Sequence, residues 1–269
     1  MTGRILITGA ASGLGRALAT RYAAAGWRVA ASDVDGAAAE TVAKEIGARH
    51  LTLDVTDEDS WLAARDWCAA EWDGLDVLVN NAGVGSGGRI ERVPLSDWDW
   101  IWQINVRGVV AGCRTFVPML KAQKSGHIVN VASLAAVMNL PGMASYNVTK
   151  SAVVSLSETL RQELSPYGIG TTVVCPGFFQ TNLGDRLRTP DPAARVVSEK
   201  LMASSKVTAD DVAGQVFDAV ARKRFLVLTH PDGRRSHRLK RLLPRAFDAQ
   251  VAKYWARLRP VMEKDDRAS

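Results

Sequence analysis

At 269 residues, 47% hydrophobic and 23% charged, the chain has the composition of a packed soluble protein with enough length for a full core, and its formal net charge is +6. Apolar stretches are broken by Asn, Gly or a charge well short of the ~20 residues of a bilayer span, and the opening M-T-G-R-I-L-I-T-G lacks a signal-peptide layout, so a cytoplasmic protein is expected. Cys68, Cys113 and Cys175 lie in apolar surroundings without ligand spacing, which argues against disulfides and a metal site, and confinement of the positive charge to one segment argues against nucleic acid as a partner.

Residues 4–8, R-I-L-I-T, form a short apolar run that stops at a glycine-rich turn, and a helical pattern follows as far as Gly26. Strand and helix then alternate. Further strands are expected at 27–33, 48–54, 75–80, 127–133, 170–175 and 224–228, and helices at 36–46, 58–72, 96–123, 145–165, 191–203 and 209–222. The strands are continuous apolar runs, as when helices cover both faces of a parallel sheet, so the expected fold is α/β with a single doubly wound sheet over 1–234. A basic helical tail follows at 235–269, part of the same domain or an oligomer contact. Between Arg222 and Arg245 nine Lys or Arg stand against Asp232 alone.

In an open α/β sheet ligands bind beyond the carboxyl ends of the strands, so the turns there carry the chemistry. The first is T-G-A-A-S-G-L-G, Thr8 to Gly15, with glycines at Gly9, Gly13 and Gly15. Such a turn allows a tight bend and close backbone approach to a pyrophosphate, and aims helix N-terminal amides at its charge; an ordinary tight turn is the alternative. Later, Tyr146 and Lys150 stand four apart, one helical turn, with Ser133 thirteen residues before the tyrosine. A cation beside a phenol favours the phenolate, which acid–base chemistry near neutral pH requires. Taken alone, the pair is equally a chance spacing on a solvated helix.

With these motifs in place, the chain resembles the short-chain dehydrogenase/reductase (SDR) family. The resemblance covers roughly residues 4–181 and is carried in order by the Thr8–Gly15 turn, Asp54-Val55, N-N-A-G at 80–83, Asn105, Ser133, Y-x-x-x-K at 146–150 and P-G-x-x-x-T from Pro176 to Thr181. It implies a Rossmann-type fold and a nicotinamide cofactor. By the same resemblance Tyr146 is the general acid/base, Lys150 lowers its pKa and meets the nicotinamide ribose, Ser133 donates to the substrate oxygen, and Asn105 holds a water. Ser12 and Leu14, within the glycine turn, fall to the cofactor, as do Asp54 and Val55 at the adenine. Asn81, Ala82 and Gly83 line the adenine ribose and the floor, and Pro176, Gly177 and Thr181 lie toward the carboxamide. Family members are commonly dimers or tetramers, which implies a homodimer or homotetramer built on the helices at 96–123 and 145–165.

Asp33 closes the second strand, where a carboxylate accepts from the ribose hydroxyls of NAD and repels the 2′-phosphate of NADP. Ser12 adds no positive charge where NADP-preferring relatives often carry Arg or Lys, so NAD is expected in preference to NADP. Against this stands Arg16, a basic side chain entering the helix, which could still reach a phosphate.

Substrate determinants are expected at 84–95, 134–145 and 178–206. Leu134, Val137, Met138, Leu140, Met143, Phe178, Phe179 and Leu183 offer an apolar wall, with Arg89, Arg186 and Arg188 as the available anion clamps. The reading is an NAD(H)-dependent enzyme interconverting a fairly apolar secondary alcohol and its ketone. The alternatives are an NADPH-dependent carbonyl or 3-oxoacyl-thioester reductase and, in another class, a non-catalytic dinucleotide-binding sensor. In the tail, Leu239, Leu242 and Leu243 fall at helical spacing among positive charges, which suits either an anionic membrane surface or, more commonly, a helix packed over the active site or a neighbouring subunit. Pro244 is expected to break or restart that helix.

Overall fold

The first strand, β1 (Arg4–Thr8), is buried from Ile5 onward, and its apolar side chains go alternately to two cores. Ile5 and Ile7 face one side of the sheet while Leu6 faces the other. The same division recurs in β4 (Val77–Asn80), where Val77 and Val79 oppose Leu78, and in β5 (Gly126–Val131), where Val129 and Val131 oppose Ile128. Continuous apolar strands are stable only when both faces are covered, and here they are. The remaining strands are β2 (Arg28–Asp33), β3 (Arg49–Thr52), β6 (Ile169–Cys175) and β7 (Leu226–Leu228). All pair in parallel in the order β3-β2-β1-β4-β5-β6-β7. The computed structural model describes residues 3–179, 184 and 187–263.

One face is covered by α1 (Gly13–Ala24), α2 (Gly36–Ile46) and α9 (Ala209–Ala221), with Leu14, Leu18, Tyr22, Val212 and Val216 inside. The other is covered by α3 (Glu58–Trp72), α5 (Gly108–Gln123) and α7 (Ala144–Leu164), which contribute Trp61, Phe116, Val153 and Leu160. All three cysteines are buried in these layers. The short α6 (Ala135–Met138) follows β5, and α8 (Pro192–Ala203) precedes α9. Among the described residues no helix is long and apolar enough to cross a membrane.

Four of the departures from the expected boundaries bear on the site or the tail. β3 ends at Thr52 because Asp54 turns the chain, its Oδ1 accepting from the Thr56 amide at 2.9 Å and hydroxyl at 2.8 Å. β5 ends at Val131, so Ser133 lies two residues past the strand, in the turn entering α6. The single helix expected over 96–123 is α4 (Leu95–Trp102) and α5 joined by a π-helical turn, Gln103–Arg107, closed by the Gly108 amide on the Gln103 carbonyl. The tail is two helices, α10 (Pro231–Leu242) and α11 (Pro244–Met262), the second restarted with Pro244 in its first turn, where a missing N–H costs nothing. α10 runs across position 234.

Candidate active site

The chain reverses direction across the sheet between β1 and β4, and the cleft opens there, at the carboxyl ends of the strands. The turn after β1 is made by Gly9 (φ +66°) and Gly13 (φ +52°), both in the left-handed region. A Cβ on Gly9 would come within 2.9 Å of the Ala82 backbone, and one on Gly15 would run into the Gly9 carbonyl. The turn therefore lies flat against the loop after β4. Thr8 clips the two together, its hydroxyl accepting from the amides of Asn81 and Ala82 at 3.0 Å each, while Asn81 Nδ2 donates to the carbonyls of Thr8 (2.8 Å) and Gly9 (3.2 Å). Ser12 stands at the N-cap of α1 without a side-chain cap bond, so the first amides of that helix are open to an anion at the cleft.

Asp33 ends β2 with both carboxylate oxygens oriented by backbone amides, Oδ2 accepting from Ala11 at 3.1 Å and Oδ1 from Asp35 at 3.2 Å. Asp35 in turn caps α2 by accepting from Ala38. Arg16, in the first turn of α1, is paired with Glu45 at 2.6 Å.

At the other end of the cleft, Tyr146 and Lys150 lie one turn apart at the start of α7. The Lys150 ammonium is 4% exposed, donates to the Val131 carbonyl at 3.0 Å and lies 5.8 Å from the Tyr146 ring centre. Ser133 Oγ accepts from the Ala135 amide at 3.1 Å and donates to the Pro176 carbonyl at 3.4 Å. Burial pushes the Tyr146 phenol up to about 12, against the pull of the Ser133 hydroxyl, and brings the Lys150 ammonium down to about 8. Asn105, fully buried in the π-helical turn, uses its side chain on Val84, whose amide and carbonyl it pairs at 2.9 Å each. The same Nδ2 also reaches the Thr149 hydroxyl of α7 at 3.4 Å. A Cβ on Gly83 would stand 3.1 Å from Asn105 Oδ1 and 3.3 Å from Lys150 Nζ, so the glycine lets these groups converge. Asn80, beside it, serves the sheet: its amide donates to Asn130 at 2.9 Å, and Asn130 donates to Ser157 of α7 at 3.0 Å.

The cleft holds about 1010 Å³. Gly9, Ser12, Gly13, Leu14, Asp33, Asp54, Val55, Asn81, Ala82, Gly83, Ser133, Tyr146, Lys150, Pro176 and Gly177 all line it. Gly15 supports the turn from behind, Asn105 lies beneath the floor, and Thr181 falls outside the described residues.

A family profile described as short chain dehydrogenase matches residues 4–192. The chain belongs to the short-chain dehydrogenase family. This short-chain dehydrogenase is 34% identical over 257 residues to "Probable oxidoreductase EphD" of Mycobacterium tuberculosis, an alignment covering 90% of the chain and 43% of that protein. The chain thus spans less than half the length of that relative. It is 37% identical over 199 residues to cyclopentanol dehydrogenase of a Comamonas species, covering 72% of the chain and 79% of the relative. A solved short chain dehydrogenase/reductase from Burkholderia phymatum in complex with NAD has a TM-score of 0.84 and 35% identity, covering 89% of this chain and 93% of that one.

In this short-chain dehydrogenase the three expected substrate segments are stitched into one wall. Gly88 pairs with Met143 and donates to the Gly142 carbonyl at 2.8 Å, and Ser86 pairs with Arg188. Arg89 is buried against Asp191, its amide donating to Oδ2 at 2.8 Å and its Nη2 to Oδ1 at 3.2 Å. Arg188 reaches Asp97 at 3.4 Å and covers the Trp100 ring. Two of the three arginines offered as anion clamps therefore already meet carboxylates; the third, Arg186, and Leu183 lie outside the described residues. Leu134 packs under Gly233 of α10, not into the cleft, whereas Phe179 lines it. Trp255, Leu258 and Met262 of α11 approach Gly142, so the tail backs the substrate wall within the same chain.

The sequence reading missed two contributions. Trp100, Gln103 and Ile104, around the π-helical turn, line the cleft; no motif marked them. His230, at the start of α10, grips the P-G-F turn: Nδ1 accepts from the Gly177 amide at 3.0 Å, so Nε2 carries the proton and donates to the Phe178 carbonyl at 2.9 Å.

Proposed function

We propose that this dehydrogenase interconverts a fairly apolar secondary alcohol and its ketone with NAD(H), using Tyr146 as general acid/base. One observation carries the reading: the Ser133 hydroxyl, the Tyr146 phenol and the Lys150 ammonium converge at one end of a cleft whose other end is closed by the Asp33 carboxylate. The residues suit a dinucleotide. The flat glycine turn and the open amides of α1 fit a pyrophosphate, and the oriented carboxylate of Asp33 fits a ribose diol. Bound NAD supplies the hydride acceptor and a positive charge that favours the phenolate.

For alcohol oxidation, Tyr146 takes the hydroxyl proton while Ser133 donates a hydrogen bond to the same oxygen, stabilising charge that grows on it. Lys150, held by the Val131 carbonyl, keeps a cation one helical turn from the phenol. The preference for NAD is supported by Asp33 and by the engagement of Arg16 with Glu45. An apolar substrate is supported by the paired state of Arg89 and Arg188 and by a relative named cyclopentanol dehydrogenase. A homodimer or homotetramer through α4, α5 and α7 is supported by exposed apolar side chains there, including Leu95, Trp102, Val110 and Val148. The test is kcat/KM with NAD and NADP over a panel of cycloalkanols, steroid alcohols and sugar alcohols. A tenfold preference for NADP, or activity confined to sugar alcohols, would overturn the reading.

A further inference from the structure

The helices α10 and α11 contain nine Lys or Arg and two Asp, a net charge of +7 that exceeds the +6 of the entire chain. On α10 this charge has a direction. Arg234, Arg235, Arg238, Arg241 and Leu242 are exposed and recur at i, i+1, i+4, i+7 and i+8, which is one face of an α-helix. The opposite face is occupied: Gly233 is buried against Leu134, and the Lys240 ammonium donates to the Val137 carbonyl at 2.8 Å. The arginine stripe runs into a corner. Leu242 and Leu243 stand there 77% and 59% exposed, held out by the break before Pro244, with exposed Arg245 beyond.

We propose that this face is a docking surface for an anionic lipid bilayer, with the arginines over the headgroups and Leu242-Leu243 entering the acyl boundary. Cations in one stripe beside a pair of exposed leucines match both layers of such a surface, the charged and the apolar. A symmetric contact between two copies would set the stripe against itself, a like-charge arrangement that disfavours that occupant. A purely polyanionic partner would use the arginines and leave the leucines without a role. Lys240 also ties the same helix to the carbonyl of Val137 in α6. The docking itself does not depend on the proposed reaction.

The test is flotation of the full chain with vesicles of phosphatidylcholine alone and with vesicles in which one third of the lipid is phosphatidylglycerol, at low and high salt, in parallel with Leu242→Glu/Leu243→Glu and Arg238→Glu/Arg241→Glu variants. The expected result is flotation with the anionic vesicles only, weakened by salt, and a loss of at least tenfold in bound fraction for each double variant while its thermal midpoint stays that of the parent. No flotation with anionic vesicles at low salt would overturn the proposal. So would undiminished flotation of the leucine variant, which would leave the stripe as a site for polyanions in general, or a change of oligomeric state in either variant, which would make the face a contact between copies.

Discussion

His230 Nδ1 accepts the backbone N–H of Gly177 at 3.0 Å, joining residues 53 apart in sequence across the nicotinamide end of the proposed cofactor cleft. The grip needs a neutral imidazole, because protonated Nδ1 has no lone pair for the amide. Burial lowers the pKa of His230, so the folded protein favours that neutral form. The contribution is complete above the ordinary histidine value of ~6.5 and is lost as pH falls below it. Asp232 and Arg234, the charged groups that act on the ring, oppose one another. The Michaelis constant for NAD is therefore expected to rise on acidification in the parent. His230→Ala should raise it roughly threefold to tenfold at pH 8, in line with a hydrogen bond of ~1 kcal/mol, and flatten its pH dependence. Steady-state kinetics from pH 5.5 to about 8.5 check this.

Tyr146→Phe should lower kcat by about 10²- to 10⁴-fold, the usual worth of positioned proton transfer, with NAD binding retained. Because burial holds the phenol near about 12, oxidation should accelerate with rising pH as the phenolate becomes populated. Ser133→Ala removes the hydroxyl that opposes burial and should move this rise to higher pH. Single-turnover rates across pH, with fluorescence titration of cofactor, separate the chemical step from binding.

Asp33→Asn keeps an acceptor for one of the two amides that orient the carboxylate but removes its charge. The ratio of kcat/KM for NAD over NADP should fall at least tenfold, about 1.4 kcal/mol of discrimination. An unchanged ratio would show that Asp33 organises the turn without selecting the cofactor.

The Arg89 and Asp191 pair is 8% and 2% exposed, and removing Arg89 takes the nearer cation from a buried carboxylate that keeps Arg92 Nε at 3.5 Å. Arg89→Met is expected to cost about 1.5–3 kcal/mol in urea unfolding, and combination with Asp191→Asn should recover part of the loss. Equal and additive losses would mean that the two side chains act separately.

Much of the scaffold was legible in the sequence because local chemistry decides it. The helices at 36–46 and 58–72 begin where Asp35 and Asp57 cap their amides, and the first of them stops at Gly47 in a left-handed conformation. The glycine turn was legible for a related reason, since left-handed φ at Gly9 and Gly13 and the close backbone approach at Gly9 and Gly15 all favour glycine. What local signals did not carry were the long-range pairings. Asn105 is claimed by Val84, 21 residues away, and His230 by Gly177, so neither role follows from spacing. The extra residue in the helix at 103–107 leaves apolar periodicity nearly intact and was read through as continuous. Ser133 was placed on a strand because its apolar run continues past Val131, where the ladder to β6 ends.

The π-helical turn has a consequence for insertions and deletions. Deleting one residue from 105–107, within the Gln103–Arg107 turn, would let α4 and α5 fuse into one regular helix, and the half before the cut would rotate by about 100° relative to the half after it. Trp100, Gln103 and Ile104 would swing off the cleft wall, although none of them had been changed. A single surplus residue in this helix thus sets the rotational phase of one side of the pocket against the other.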